Sequence, residues 1–233
     1  MVPTAQVEGF VKSRLDSLGQ LSHYGNSLST EELFEIFMPI PDFATHGALP
    51  NFISGHATNP AARSPYTASM LDVVERFCTS PDRAKLLKGL NHYRKHLHSG
   101  GFVYGHQWID GSFVEDVEKL RKRSPNDIDV VTLFSRPVKY QTDPKSWSED
   151  YEGHLFATYF DTNAMKPKYK CDTYGIDLDA GSRALIRNST YWFGLFSDMR
   201  DTNAKKGIIE ITLAVDSMEF GAVDQAIGVR FDV

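Results

Sequence analysis

The 233 residues, 41% hydrophobic and 24% charged, suit one globular domain of generous size, or one domain with a helical extension. A net charge of −5 argues against a broad electrostatic footprint for duplex DNA or RNA and leaves room only for a local basic patch. No run nears the roughly 20 apolar residues that a bilayer crossing needs, and two distant cysteines, Cys78 and Cys171, do not make a disulfide framework.

Residues 1–20 lack a compact apolar stretch and carry Glu8 and Asp16, so no secretory signal is expected; a cytoplasmic protein with free thiols is. Val7, Phe10, Val11, Leu15 and Leu18 recur at helical spacing and predict an amphipathic helix over 4–21. Ser29 with Glu32 has the form of a capping box opening a short helix through Phe37. Pro39, Pro41 and Gly47-Ala48-Leu49-Pro50 then impose an irregular segment to about Pro65, long enough to wrap a surface or approach an active site.

A helix over Thr67–Cys78 turns Met70, Val73, Val74 and Phe77 inward. The next opens at Ser80-Pro81, presents Leu86, Leu87, Leu90, Tyr93 and Leu97, and stops at Gly100-Gly101. From there the period changes. Strands are predicted over Phe102–Ile109, Asp127–Phe134, Tyr169–Leu178 and Ile208–Val215. Helices fall at Glu115–Arg123 and at Gly181–Met199, the latter carrying Tyr191, Trp192, Phe193 and Phe196 as expected core. The order predicts an α/β or α+β fold, a mixed sheet flanked by helices, with a helical N-terminal region at 1–100 packed on a core at 101–233.

The chemistry-bearing residues sit in that core. Trp108-Ile109-Asp110-Gly111-Ser112-Phe113 leaves a strand at a Gly-Ser turn, and after fourteen residues beyond the serine Asp127-Ile128-Asp129-Val130-Val131 begins another. In a strand, residues i and i+2 share a face, so Asp127 and Asp129 can grip a hard cation together while Ile128 and Val130 enter the core. The plainer alternative makes Asp127 a turn cap after Pro125-Asn126 and leaves Asp129 facing solvent. Arg200, Lys205 and Lys206 could clamp a phosphate or form a solvated charge cluster. His92 and His96 have i, i+4 spacing without a completing ligand, so surface or dipole-capping roles fit them better than a metal.

A Gly-Ser turn, a helix and then Asp-x-Asp on the next strand resembles the nucleotidyltransferase fold of DNA polymerase β-type enzymes, aminoglycoside nucleotidyltransferases and the minimal nucleotidyltransferases of toxin–antitoxin operons. The wording Trp-Ile-Asp-Gly-Ser-Phe with Pro-Asn-Asp-Ile-Asp-Val-Val is similar to a largely uncharacterised, mostly bacterial nucleotidyltransferase-like family. Gly47-Ala48-Leu49-Pro50, Arg76-Phe77, Tyr191-Trp192 and Lys206-Gly207-Ile208-Ile209-Glu210 fit it as well, over about residues 45–213. The gap between Gly-Ser and Asp-x-Asp is longer here than usual.

The resemblance implies transfer of a nucleoside monophosphate from a nucleoside triphosphate to a hydroxyl on a protein, an RNA end or a small molecule. Its alternative is a silent antitoxin or nucleotide-sensing module. It further implies that Gly111 and Ser112 cradle phosphate, helped by Arg200 and Lys206, and that Asp127 and Asp129 hold two Mg²⁺ (or Mn²⁺) ions with a third carboxylate. Asp172 is the first choice for that carboxylate, with Asp177 and Glu210 as rivals. The implied setting is a toxin–antitoxin or antiphage operon with an operon-encoded protein partner and no membrane.

Overall fold

The computed structural model describes residues 40–54, 62–200, 202 and 204–233. The helices expected over 4–21 and 29–37 lie outside them. Residues 40–233 form one compact unit. At its centre is a five-stranded sheet of β1 (Tyr66–Thr67), β2 (Gly105–Asp110), β3 (Ile128–Phe134), β4 (Cys171–Asp177) and β5 (Ile209–Thr212). The order across it is β1-β5-β2-β3-β4. β2 runs antiparallel to both β3 and β5, whereas β3 with β4 and β5 with β1 are parallel, so the sheet is mixed.

Side-chain alternation gives the sheet two apolar faces. Ile109, Ile128, Val130, Phe134, Cys171, Ile209 and Ile211 enter the larger cluster. This face is covered by α1 (Met70–Phe77) and α2 (Pro81–Ser99), whose Val73, Phe77, Leu87, Leu90 and Tyr93 are buried in the same cluster. Trp108, Val131, Leu133 and Ile176 form the smaller cluster on the opposite face, closed by Phe196 of a later helix.

Local chemistry sets the helix ends. Ser69 caps α1 in a full capping box with Asp72, which is why the helix starts at Met70 and not at the predicted Thr67. Tyr66 and Thr67 instead pair with Ile209 and Glu210 as an edge strand. Ser80 caps α2 with Pro81 just inside, and Gly100 closes it, as the sequence indicates. Between β2 and β3 lie a 3₁₀ turn, Gly111–Val114, and only five residues of α-helix, α3 (Val117–Arg121), in place of the longer helix expected.

The stretch between β3 and β4 is helical where the pattern gave no clear period. It comprises α4 (Pro144–Asp150), a π-helical turn Tyr151–Leu155, α5 (Phe156–Tyr159) and α6 (Thr162–Tyr169). α7 (Ser182–Phe196) lies on the smaller cluster, and α8 (Ser217–Arg230) packs Phe220, Val223 and Ile227 beside α2. The aromatic expectation for α7 needs correcting. Phe196 is buried and Trp192 half-buried, but Tyr191 and Phe193 are exposed, because the helix meets the sheet along the stripe Leu185, Trp192 and Phe196, which those two residues flank.

Cys78 and Cys171 are buried free thiols. Among the described residues no helix is long and apolar enough to cross a membrane.

Candidate active site: an acidic row beside a glycine turn

The register places Asp110 of β2 opposite Asp129 of β3, and Asp129 opposite Asp172 of β4. Each stands an even number of positions from a residue of the smaller cluster (Trp108, Val131 and Ile176), so the three carboxylates share one sheet face in a row across three strands. Asp127, two positions before Asp129, lies on the same side. One ligand oxygen from each of Asp127, Asp129 and Asp172 falls within 4.8 Å of the others. The other two candidates for the third acid stand elsewhere. Asp177 pairs with Arg136 at 2.9 Å, and Glu210 accepts the Trp108 indole N–H at 2.9 Å.

The glycine turn is built against this row. Gly111 has φ +84, and a Cβ there would sit 2.4 Å from Asp129 Oδ2, so only glycine admits the turn at that distance from the carboxylate. Arg83 of α2 fixes the chain beyond it. Its guanidinium donates to the carbonyls of Phe113 and Glu115, each at 2.7 Å, and clasps Glu118 at 2.6 and 2.9 Å. The irregular segment 40–54 runs past the same place: Leu49 N–H donates to Val114 O, Asp116 N–H to Gly47 O, and Gly207 N–H to Leu49 O. It approaches the site through its backbone.

Burial and like charge act on the carboxylates together. Burial, followed by the nearby charges of Asp127 and Asp172, pushes Asp129 up to about 6. Burial pushes Asp110 up to about 7, opposed by the adjacent Lys206. Lys206 is itself buried, with its ammonium 2.9 Å from Asp110 Oδ2, 3.4 Å from Glu115 Oε1 and 3.3 Å from Gly111 O. It braces the turn from behind. Arg200 is exposed on the rim, and Lys205 is engaged with Asp198.

Lys166 of α6 reaches the row from the β4 side, its ammonium 2.6 Å from Asp127 Oδ2 and 2.7 Å from Asp172 Oδ2.

These groups line a cavity of about 470 Å³ that also takes in Ser112, Arg121, Arg123, Tyr174 and Trp192. That is the size of an ordinary small-molecule site. One wall is aromatic, with Tyr174 and Trp192 4.2 Å apart and tilted by 38°. The donor set, one carboxylate oxygen each from Asp127, Asp129 and Asp172, suits a hard cation, and Asp172 Oδ1 is buried without a hydrogen-bond partner, as is Asp110 Oδ1 in the same row.

Asp110, Lys166 and Arg83 escaped the sequence reading. Asp110 carries a signal, since it precedes the Gly-Ser pair and alternates with Trp108. Lys166 and Arg83 carry none, because their roles depend on a crossover and a helix packing that no spacing encodes. Among the described residues no histidine lines the cavity: His96 stacks between Tyr159 and Tyr169, and His92 lies near Asp224.

The chain is thus a mixed α/β protein with a cation-competent acidic cluster at one end of its sheet. Residues 41–212 match a family of unknown function (DUF6932), and the chain belongs to it. No curated protein and no solved structure matches.

Proposed function

We propose that this protein is a metal-dependent nucleotidyltransferase, moving a nucleoside monophosphate from a nucleoside triphosphate to a hydroxyl acceptor. One observation carries the reading: Asp127 and Asp129 share a strand face against the Gly111 turn, with Asp172 alongside from the neighbouring strand. The mixed sheet with a Gly-Ser turn leaving β2 agrees with the nucleotidyltransferase fold.

Asp127, Asp129 and Asp172 would hold Mg²⁺, whose contribution when bound is to neutralise triphosphate charge and make the acceptor hydroxyl more acidic. Gly111 brings backbone close to the phosphates, and the Ser112 hydroxyl and amide donate to them from the cavity wall. Arg200 adds positive charge at the rim. Lys206 acts indirectly, holding Asp110 and the Gly111 carbonyl so that the turn keeps its shape. Catalysis of this kind is chiefly positioning and charge stabilisation.

The test is incubation of the protein with each α-labelled nucleoside triphosphate and Mg²⁺, scoring pyrophosphate release and label on protein, RNA and small acceptors. Asp127→Ala/Asp129→Ala should abolish transfer. If no triphosphate is consumed, and the double variant matches the unaltered chain, a silent binding module replaces this reading.

A further inference from the structure

Lys166 is the least expected member of the site. Its ammonium bridges Asp127 and Asp172 at 2.6 and 2.7 Å, a distance at which both contacts are charge-assisted hydrogen bonds. It does not reach there from a loose loop. Met165 and Tyr169, on either side of it in α6, are both buried, and Lys170, which ends the helix, accepts Ile128 N–H at 3.0 Å. The lysine's backbone is therefore fixed relative to the start of β3, although the side chain itself is 45% exposed.

Charge and unsatisfied oxygens both point to the same count of cations. Four carboxylates (Asp110, Asp127, Asp129 and Asp172) face two ammonium groups, Lys166 at one end of the row and Lys206 at the other. With all four ionised, the state in which they would hold a cation, four negative charges less two positive leave two. Glu115, the remaining acid at the Lys206 end, has Arg121 at 3.2 Å as its own counter-charge. Among the described residues three carboxylate oxygens of this cavity are buried without a hydrogen-bond partner: Glu115 Oε2 has Arg121 as its counter-charge, whereas Asp110 Oδ1 and Asp172 Oδ1 belong to the two residues that flank Asp129 in the row. The Asp110 side chain is only 3% exposed and lines the same cavity. A buried acceptor with no donor from the chain is completed by a cation, a proton or a bound water, and in a row of carboxylates a cation answers the charge as well.

We propose that Lys166 is a resident cation of this site, so that the protein takes one divalent ion at Asp129, between the unpartnered oxygens, and not two. The inference rests on the metal-dependent reading above and narrows it: the second positive centre comes from the chain. An ammonium donates hydrogen bonds but cannot act as a Lewis acid, so Lys166 holds and neutralises while the single ion carries the polarising role.

The experiment is Mn²⁺ binding to the full chain, counted by electron paramagnetic resonance and calorimetry. Lys166→Met and Lys166→Arg are compared with the unaltered protein, and sites that persist in Asp127→Asn/Asp129→Asn are subtracted as surface binding. The unaltered chain should bind one Mn²⁺. Lys166→Met should bind two, or bind the first at least about tenfold more tightly, as removal of a like charge at contact distance requires. Lys166→Arg should still bind one. Two ions on the unaltered chain overturn the proposal whatever the variants do, while leaving the metal-dependent reading standing. A Lys166→Met chain with unchanged number and affinity overturns it equally. No subtractable Mn²⁺ on any chain removes both this inference and the function it rests on.

Discussion

At Asp129, desolvation and two neighbouring carboxylates favour the protonated acid over the anion, holding its pKa at about 6, and burial holds Asp110 at about 7. A carboxyl that keeps its proton more tightly in the native protein than in the unfolded chain adds stability at low pH. That increment is complete below about pH 4 and is lost as the pH rises through about 6 for Asp129 and about 7 for Asp110. Asp129→Asn should therefore stabilise the metal-free protein by about 1–3 kcal/mol at pH 7 and by nothing at pH 4. Urea melts at the two pH values measure this, and an unchanged midpoint at pH 7 would contradict it. Gly111→Ala works in the opposite sense. Its methyl would land on Asp129 Oδ2 in a left-handed backbone, so a loss of about 1–3 kcal/mol should accompany a fall in Mn²⁺ affinity. Retained affinity would mean that the turn does not govern the carboxylate.

Among the elements, α2 does the most to connect core to site. Its buried Leu87, Leu90 and Tyr93 anchor it to the sheet, and Arg83, one turn in from Ser80, ties down Phe113, Glu115 and Glu118 beyond the glycine turn. Arg83→Ala leaves two buried carbonyls and a carboxylate without their donor. It should cost about 2–4 kcal/mol, more than Arg76→Ala, whose guanidinium makes one hydrogen bond, to Pro41 O at 3.3 Å, an ion pair with the exposed Asp42 and a contact over the Phe43 ring. Thermal melts of the two variants compare them directly, and equal losses would remove Arg83 from its anchoring role.

α2 and β3 were the most legible parts of the sequence. An N-cap with proline, a regular apolar stripe, and an Asp-x-Asp alternation that puts Ile128 and Val130 inward all act locally. β1 was not legible, because two residues paired to a distant strand leave no period. The run from Pro144 to Tyr169 was hidden by a π turn and by aromatics that pack in several directions. α8 was missed because its only strong signal is Phe220, Val223 and Ile227 among glycines and acids. Of the site, the Gly-Ser and Asp-x-Asp pairs were readable from spacing, whereas the row Asp110–Asp129–Asp172 follows only from strand register.

Taken as a whole, residues 40–233 are one compact unit, and its C-terminal helix is integral to it. Asn91 donates to Phe220 O at 2.9 Å and to Asp224 at 2.8 Å, and Lys88 reaches the carbonyl of Val233. Truncation after Asp216 strips Phe220, Val223 and Ile227 from the core and should cost about 4–8 kcal/mol, enough to leave the remainder largely unfolded. Circular dichroism of the truncated chain checks it; a cooperative melt near that of the full chain would rule it out. Ligand linkage gives a test of the entire molecule. A non-hydrolysable nucleoside triphosphate with Mn²⁺, at about a hundred times its dissociation constant, should raise the melting temperature by roughly 5–10 °C. The triphosphate alone should do much less, and an equal shift without Mn²⁺ would argue against a shared site.

The parallel pairing of β3 with β4 has a last implication. Parallel neighbours require a crossover, and here it runs from Phe134 to Lys170, delivering Lys166 and Asp172 at its very end. Sheet register sets where Asp172 meets Asp129, and α6 sets where Lys166 meets Asp127 and Asp172. The path from Ser135 to Phe160 contributes neither; it gives Tyr140, Trp147, Leu155 and Phe160 to the core instead. Insertions confined to its exposed turn at 141–145 should therefore leave the acids beneath in place.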